Sequence, residues 1–143
     1  MSEPSPILFV TRYFWPELIG SAPFTSDLAE WLAKEGRQIT VLSGLPHYPG
    51  TTVFPAYKNG RLKRETMGNV KVERVHSGPP RHGSAIARIL NEAGFLMRGL
   101  GALLGGRIGR HPVVLALCPS ILCVVLALAA PVSRLLDRRR PQS

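Results

Sequence analysis

The sequence predicts an α/β fold, an incomplete Rossmann-like parallel sheet with flanking helices, and three observations carry that expectation. The apolar run ILFV at 7–10 is followed by a loop, an amphipathic stretch and a second apolar run at 39–42. That is the strand–helix–strand order that builds a parallel sheet. Residues 113–117, VVLAL, are apolar throughout, as a strand covered on both faces should be. Gly20 and Ser21 stand where the first strand hands over to the helix, the place where open α/β sheets bind ligands and helix N–H groups meet anions.

Each element has its own local argument. In the first helix Leu28, Trp31 and Leu32 recur at i, i+3 and i+4 and are expected to face the sheet, with Ala29 and Ala33 small enough for close packing. Ser21 is the expected N-cap, Pro23 sits just inside the helix, and Gly36 supplies its left-handed end. Asp27 and Glu30 come early and Lys34 late, which suits the macrodipole. Residues 44–69, rich in Gly, Pro and aromatic side chains, read as one long loop, and loops of that length usually have a function. VKVERV at 70–75 alternates apolar and charged residues and reads as a half-exposed strand.

Residues 84–108 are helical by period. Ile86, Ile89, Leu90, Ala93, Met97, Leu100, Leu103 and Leu104 share one broad face, and Arg88, Asn91, Phe95 and Arg98 the other. The uncharged run at 113–132 is long enough to cross a bilayer, and a small membrane protein built on one span there is the alternative reading. Pro119-Ser120 argues for a split instead, into a buried strand at 113–117 and a helix from 120 to about 136. The expected domain therefore covers 7–136, between a leader at 1–6 and a basic tail at 137–143.

Net charge is +9 and uneven: 81–143 hold nine arginines against two acids. Such a surplus suits an anionic partner, or a plain solvated basic surface. The chain carries no zinc-finger or RRM pattern, and no nucleic-acid partner is expected. Cys118 and Cys123 fit no zinc spacing and read as buried reduced thiols. No metal site is expected, and the N-terminus lacks the basic and apolar regions of a secretory signal.

The stretch YFWPELIGSAPFTSDLAEWLAKEGRQITVLSGLPHYP, from Tyr13 to Pro49, resembles the opening of the family 4 glycosyltransferases. The shared features are an aromatic residue with Pro16-Glu17, the glycine loop, the Leu28-Ala29-x-x-Leu32-x-x-x-Gly36 helix and the strand after it. Pro46-His47-Tyr48-Pro49 is similar to the variant in enzymes of bacterial exopolysaccharide synthesis, including the colanic-acid type, and the resemblance resumes at 113–120. It implies a GT-B architecture of two Rossmann-like domains, of which this chain is the N-terminal, acceptor-side one. It implies transfer from a nucleotide-sugar, a co-substrate rather than a bound cofactor, to a glycan or lipid-linked acceptor, with retention and without a metal.

On that resemblance Gly20 and Ser21 approach the donor phosphates or the acceptor, although Ser21 replaces the family's second glycine. Glu17, His47 and Tyr48 are acceptor-side candidates, with His47 a possible base. The family's donor-binding Glu-seven-residues-Glu pattern belongs to a C-terminal domain, so this chain is expected to be truncated, inactive alone, and a possible partner of a separate C-terminal half. The same resemblance implies a cytoplasmic protein at the inner face of the membrane. The second helix, through Arg88, Phe95 and Arg98, is then the expected contact with anionic lipid.

Overall fold

The computed structural model describes residues 4–50, 52–59, 62–76, 84–117 and 127–130, excepting the side chain of Arg88. The elements run β1 (Ile7–Thr11), α1 (Ala22–Lys34), β2 (Ile39–Gly44), a 3-10 turn η1 (Pro55–Tyr57), β3 (Arg64–Met67), β4 (Val70–Val75), α2 (Ala85–Leu104) and β5 (Val113–Leu117). One five-stranded sheet results, in the order β3-β4-β2-β1-β5. β4, β2, β1 and β5 are parallel, and β3 lies antiparallel on the outer edge of β4. This is the α/β sheet with flanking helices that the sequence predicts.

The period of two in the strands divides the core between two faces. Phe9, Val41, Val70 and Val72 pack with Ala29 and Ala33 of α1. Leu8, Val10, Leu42 and Val75 pack on the other face with Phe95, Ala102 and Leu103 of α2. The chain steps outward from β1 through β2 to β4, then α2 carries it back to β5 on the far side of β1. That reversal makes a topological switch point beside β1, and the C-terminal ends of the strands form the edge where such sheets take ligands.

α1 turns partly as expected, with Ala29 and Ala33 packed on the sheet and Leu32 partly buried against it, and α2 turns differently. The sheet-facing side of α1 is small and partly polar (Ala22, Thr25, Ser26, Ala29, Ala33), so the helix sits close, and Leu28 and Trp31 are left largely exposed. In α2 the correction is sharper. Phe95 is 0% exposed, whereas Ile86, Ile89, Leu90 and Met97 are each at least 65% exposed. Buried Gly99 and Ala102 let the helix approach the sheet on Phe95's side, and the ring fills the space next to Leu8 and Val10. Packing volume, not summed hydrophobicity, chose the face.

The caps agree in part. Gly36 has φ +84, and the Gly36 and Arg37 N–H groups donate to the Ala33 and Leu32 carbonyls, closing α1. Ser84 caps α2 by accepting from the Ala87 N–H at 3.1 Å. Ser21 stands at the N-cap of α1, but its backbone is already helical (φ −84, ψ −5) and its side chain makes no capping bond. Neither Asp27 nor Glu30 falls in the first turn.

The expected long loop at 44–69 contains η1 and β3, and β4 is not half-exposed, because Glu73 and Arg74 are buried along with its valines. β5 is a strand, as the split at Pro119 requires, but not the buried one expected: it lies at the sheet edge, with Val113 and Leu115 42% and 39% exposed. The helix expected after it, both cysteines, the leader's first three residues and the basic tail lie wholly or mostly outside the described residues. Among the described residues no helix is long and apolar enough to cross a membrane.

Candidate functional site

At the C-terminal end of the sheet the loop after β1 is held by side chains from three elements. The Thr11 hydroxyl donates to the Tyr13 carbonyl at 2.9 Å. Ser26 of α1 accepts the Trp15 N–H at 3.1 Å while donating to the Ala22 carbonyl at 2.8 Å. Arg74, at the end of β4, donates to the Trp15 carbonyl. The loop carries cis peptide bonds at Trp15-Pro16 and, across from it, at Tyr48-Pro49.

This fixed loop delivers Glu17 into the interior, where its Oε1 accepts the backbone N–H groups of both His47 and Tyr48 at 3.0 Å. Glu17 therefore does for the segment after β2 what a neighbouring strand would have done, satisfying two amides that would otherwise be buried unpaired. His47 is buried as well, its Nδ1 3.1 Å from the Leu45 carbonyl and 3.7 Å from Glu17 Oε1. In the tautomer that makes the first of these bonds Nδ1 carries the proton and Nε2 is left as an acceptor. The Tyr13 ring lies 6.0 Å from the imidazole, and burial, the largest influence, raises the Tyr13 pKa above 10.0. The Tyr48 side chain is exposed beside them.

So Glu17, His47 and Tyr48, chosen from separate segments of sequence, form one hydrogen-bonded group. Gly20 and Ser21 lie at the start of α1 on the same edge. Gly20 has φ +54 with open space where a Cβ would stand, so its requirement here is conformational. The Ala22 N–H is taken by the Ile19 carbonyl and Pro23 has none, which leaves this helix start fewer donors for an anion than usual. Phe95 is in the core with the Arg12 guanidinium 5.2 Å above its ring, and so is withdrawn from any lipid contact. Arg98 is exposed; with Lys63 it adds to the burial that lowers the pKa of His76. The Arg88 side chain is outside the described set.

The residues that sequence reading missed are Arg74, Glu65 and Tyr57. Arg74 is fully buried, donating from Nε and Nη2 to Glu65 Oε1 at 2.8 and 2.7 Å, with its guanidinium 4.9 Å above the Tyr57 ring. The Tyr57 hydroxyl donates to Glu65 at 3.2 Å. A signal was present: Arg64-Glu65 and Glu73-Arg74 mirror each other about Gly68-Asn69, which is hairpin chemistry. Glu65 and Glu73 also stand at Glu-seven-residues-Glu spacing, but they are neutralised by arginines, Glu65 by Arg74 and Glu73 by Arg64 and Arg107.

Two clefts differ in character. One of about 960 Å³, with Arg37, Lys71 and Arg107 on its walls, lies at the opposite end of the sheet, where cations suit the C-terminal ends of α1 and α2. A groove of about 260 Å³ lined by Leu45, Val53, Tyr57, Lys58 and His76 lies at the site's end and shares with the Glu17–His47 group Leu45, whose carbonyl is 3.1 Å from His47 Nδ1. Among the described residues no cluster of His, Cys, Asp or Glu is arranged to hold a metal ion.

No family model matches the chain. Over 123 residues it is 31% identical to a protein of Escherichia coli (strain K12) provisionally named colanic acid biosynthesis glycosyl transferase WcaI. The match covers 86% of this chain and 28% of that protein. The chain is thus related to a glycosyltransferase and spans little more than a quarter of its relative's length.

Proposed function

We propose that this chain is the acceptor-side part of a retaining GT-B transferase of the family 4 type. Its reaction moves a sugar from a nucleotide-sugar to a lipid-linked glycan in exopolysaccharide or cell-surface polysaccharide synthesis. The observation that carries the reading is the Glu17 carboxylate bonded to the His47 and Tyr48 amides. Two of the segments that carry the family 4 resemblance, Pro16-Glu17 and Pro46 to Pro49, thereby become one structure on the ligand-binding edge of the sheet.

In this reading His47 Nε2 accepts the proton of an acceptor hydroxyl. Tyr48 lies along the sugar, and Gly20 and Ser21 border the acceptor rather than grip donor phosphate, given the few free amides there. The donor nucleotide is held by a C-terminal half of the transferase, and the described residues contribute the acceptor side. The protein works on the cytoplasmic side, with α2 against the membrane. The contact is the exposed Ile86, Ile89, Leu90 and Met97 with Arg98, and not Phe95.

Titration of the ¹⁵N-labelled chain with a repeat-unit oligosaccharide and, separately, with a nucleotide-sugar tests the assignment. The glycan is expected to shift the Gly20, Ser21, His47 and Tyr48 amides, and the nucleotide-sugar to leave them within error. Shifts confined to the basic cleft at the other end of the sheet, or none with any glycan, would overturn it.

A further inference from the structure

The Glu17–His47 group does not hold itself in place. Glu17 sits at the end of a loop whose backbone is pinned at Trp15, and the carbonyl of Trp15 is bonded by a side chain 59 residues away, Arg74. We infer that Arg74 is the positioning residue of the site: through Trp15 it sets where Glu17 stands, and through Glu17 where His47 and Tyr48 stand. The role goes beyond the transferase reading, and only its importance for sugar binding rests on that reading.

The geometry is that of a hub. A single guanidinium with no solvent exposure reaches Glu65 on β3, the Trp15 carbonyl in the loop after β1, the Gly44 carbonyl at the end of β2 at 3.4 Å and the face of Tyr57 in η1. These are the elements that enclose the site's edge. The planar fork of arginine has enough fixed donors to serve several acceptors at once, which a lysine ammonium on a flexible stem does not. Glu65 supplies the countercharge without which a buried cation would be very costly. Tyr57 then ties Glu65 to the crossover that begins with His47 and Tyr48. The 13–17 loop is therefore referred to one side chain directly, and the crossover is tied to it at its two ends, Gly44 and Tyr57, while the His47 and Tyr48 amides between those ends are linked to it through Glu17.

Amide hydrogen exchange on the full chain, without any sugar, tests this independently of the transferase assignment. Glu17→Ala should accelerate exchange at His47 and Tyr48 alone, by at least about tenfold, since it deletes their acceptor. Arg74→Lys, which keeps the charge but not the fork, should accelerate the same two amides together with the loop amide of Glu17 by about tenfold. It should leave Val10 and Val41 in the strand interiors unchanged. The double variant should expose His47 and Tyr48 no further than Glu17→Ala does, because the two changes act along one path.

Unchanged His47 and Tyr48 exchange in Arg74→Lys, uniform acceleration across β1 and β2, or additive effects in the double variant would each overturn the inference. Should Arg74→Lys not fold, Glu65→Gln takes its place. It leaves the guanidinium in position but weakens its anchor, and the same pair of amides must respond. If the exchange results hold while no glycan binds, Arg74 still positions this edge and the transferase reading fails by itself.

Discussion

At the residue scale, two glycines show how differently the same residue type can be required. Gly20 must be glycine because its φ is +54, yet a Cβ there would meet nothing within 4 Å. Gly44 has ordinary dihedrals, but a Cβ would stand 2.6 Å from Arg12 Nη1 and 3.1 Å from the Arg12 carbonyl. Arg12 is itself buried, bonded to Asn91 at 3.1 Å and lying over Phe95, so its guanidinium has little room to retreat. Gly20→Ala is therefore expected to cost about 1–2 kcal/mol from backbone strain alone. Gly44→Ala should cost about 1–3 kcal/mol from overpacking. Chemical denaturation in an Arg12→Met background separates them: the Gly44→Ala penalty should shrink there and the Gly20→Ala penalty should not.

At the element scale α2 decides most. Its aliphatic residues crowd the face opposite Arg88, Asn91 and Arg98, so the pattern points that face inward, yet Ile86, Ile89, Leu90 and Met97 on it are left in solvent. Phe95→Ala should cost about 3–5 kcal/mol, as loss of a buried aromatic does. Ile89→Ser should change stability by no more than about 0.5 kcal/mol, as exposed positions do. Equal costs by thermal or urea unfolding would mean that the orientation is wrong. The same comparison explains what the sequence made legible. Four of the five strands and the α1 boundaries were readable because apolar runs and Gly36 punctuate them locally, while the strand order and β3 were not. Glu17, His47 and Tyr48 were readable as candidates because they sit in distinctive loops. Which face of α2 packs, and the burial of Arg74 and Glu73, depended on partners far along the chain. Arg74 looks solvated until β3 brings Glu65 to it, and Phe95 looks stray until Gly99 and Ala102 meet the sheet.

For the whole molecule the consequence of that orientation is geometric. Arg12 directly follows β1 on the ligand-binding edge, and it touches Asn91, Glu92 and Phe95 on the inner side of α2. The exposed Ile86, Ile89, Leu90 and Met97 are on the outer side of the same turns, so one helix diameter, about 10–12 Å, separates this apolar stripe from the edge of the site. If the stripe enters a membrane interface, the site opens at headgroup height, which suits an acceptor whose lipid stays in the bilayer. A net charge of +9 adds attraction to anionic lipid, on the order of 1 kcal/mol for each Lys or Arg near the surface, and salt screens it. The chain should therefore float with anionic vesicles at low salt, and an Ile89→Ser, Leu90→Ser variant should remain in the aqueous fraction. Leu90→Trp should be quenched by lipids brominated near the headgroup, while Trp31 on the opposite face of the sheet should not. Flotation that survives loss of Ile89 and Leu90 but vanishes in salt would mean that charge alone brings the protein to the surface and that α2 does not orient it.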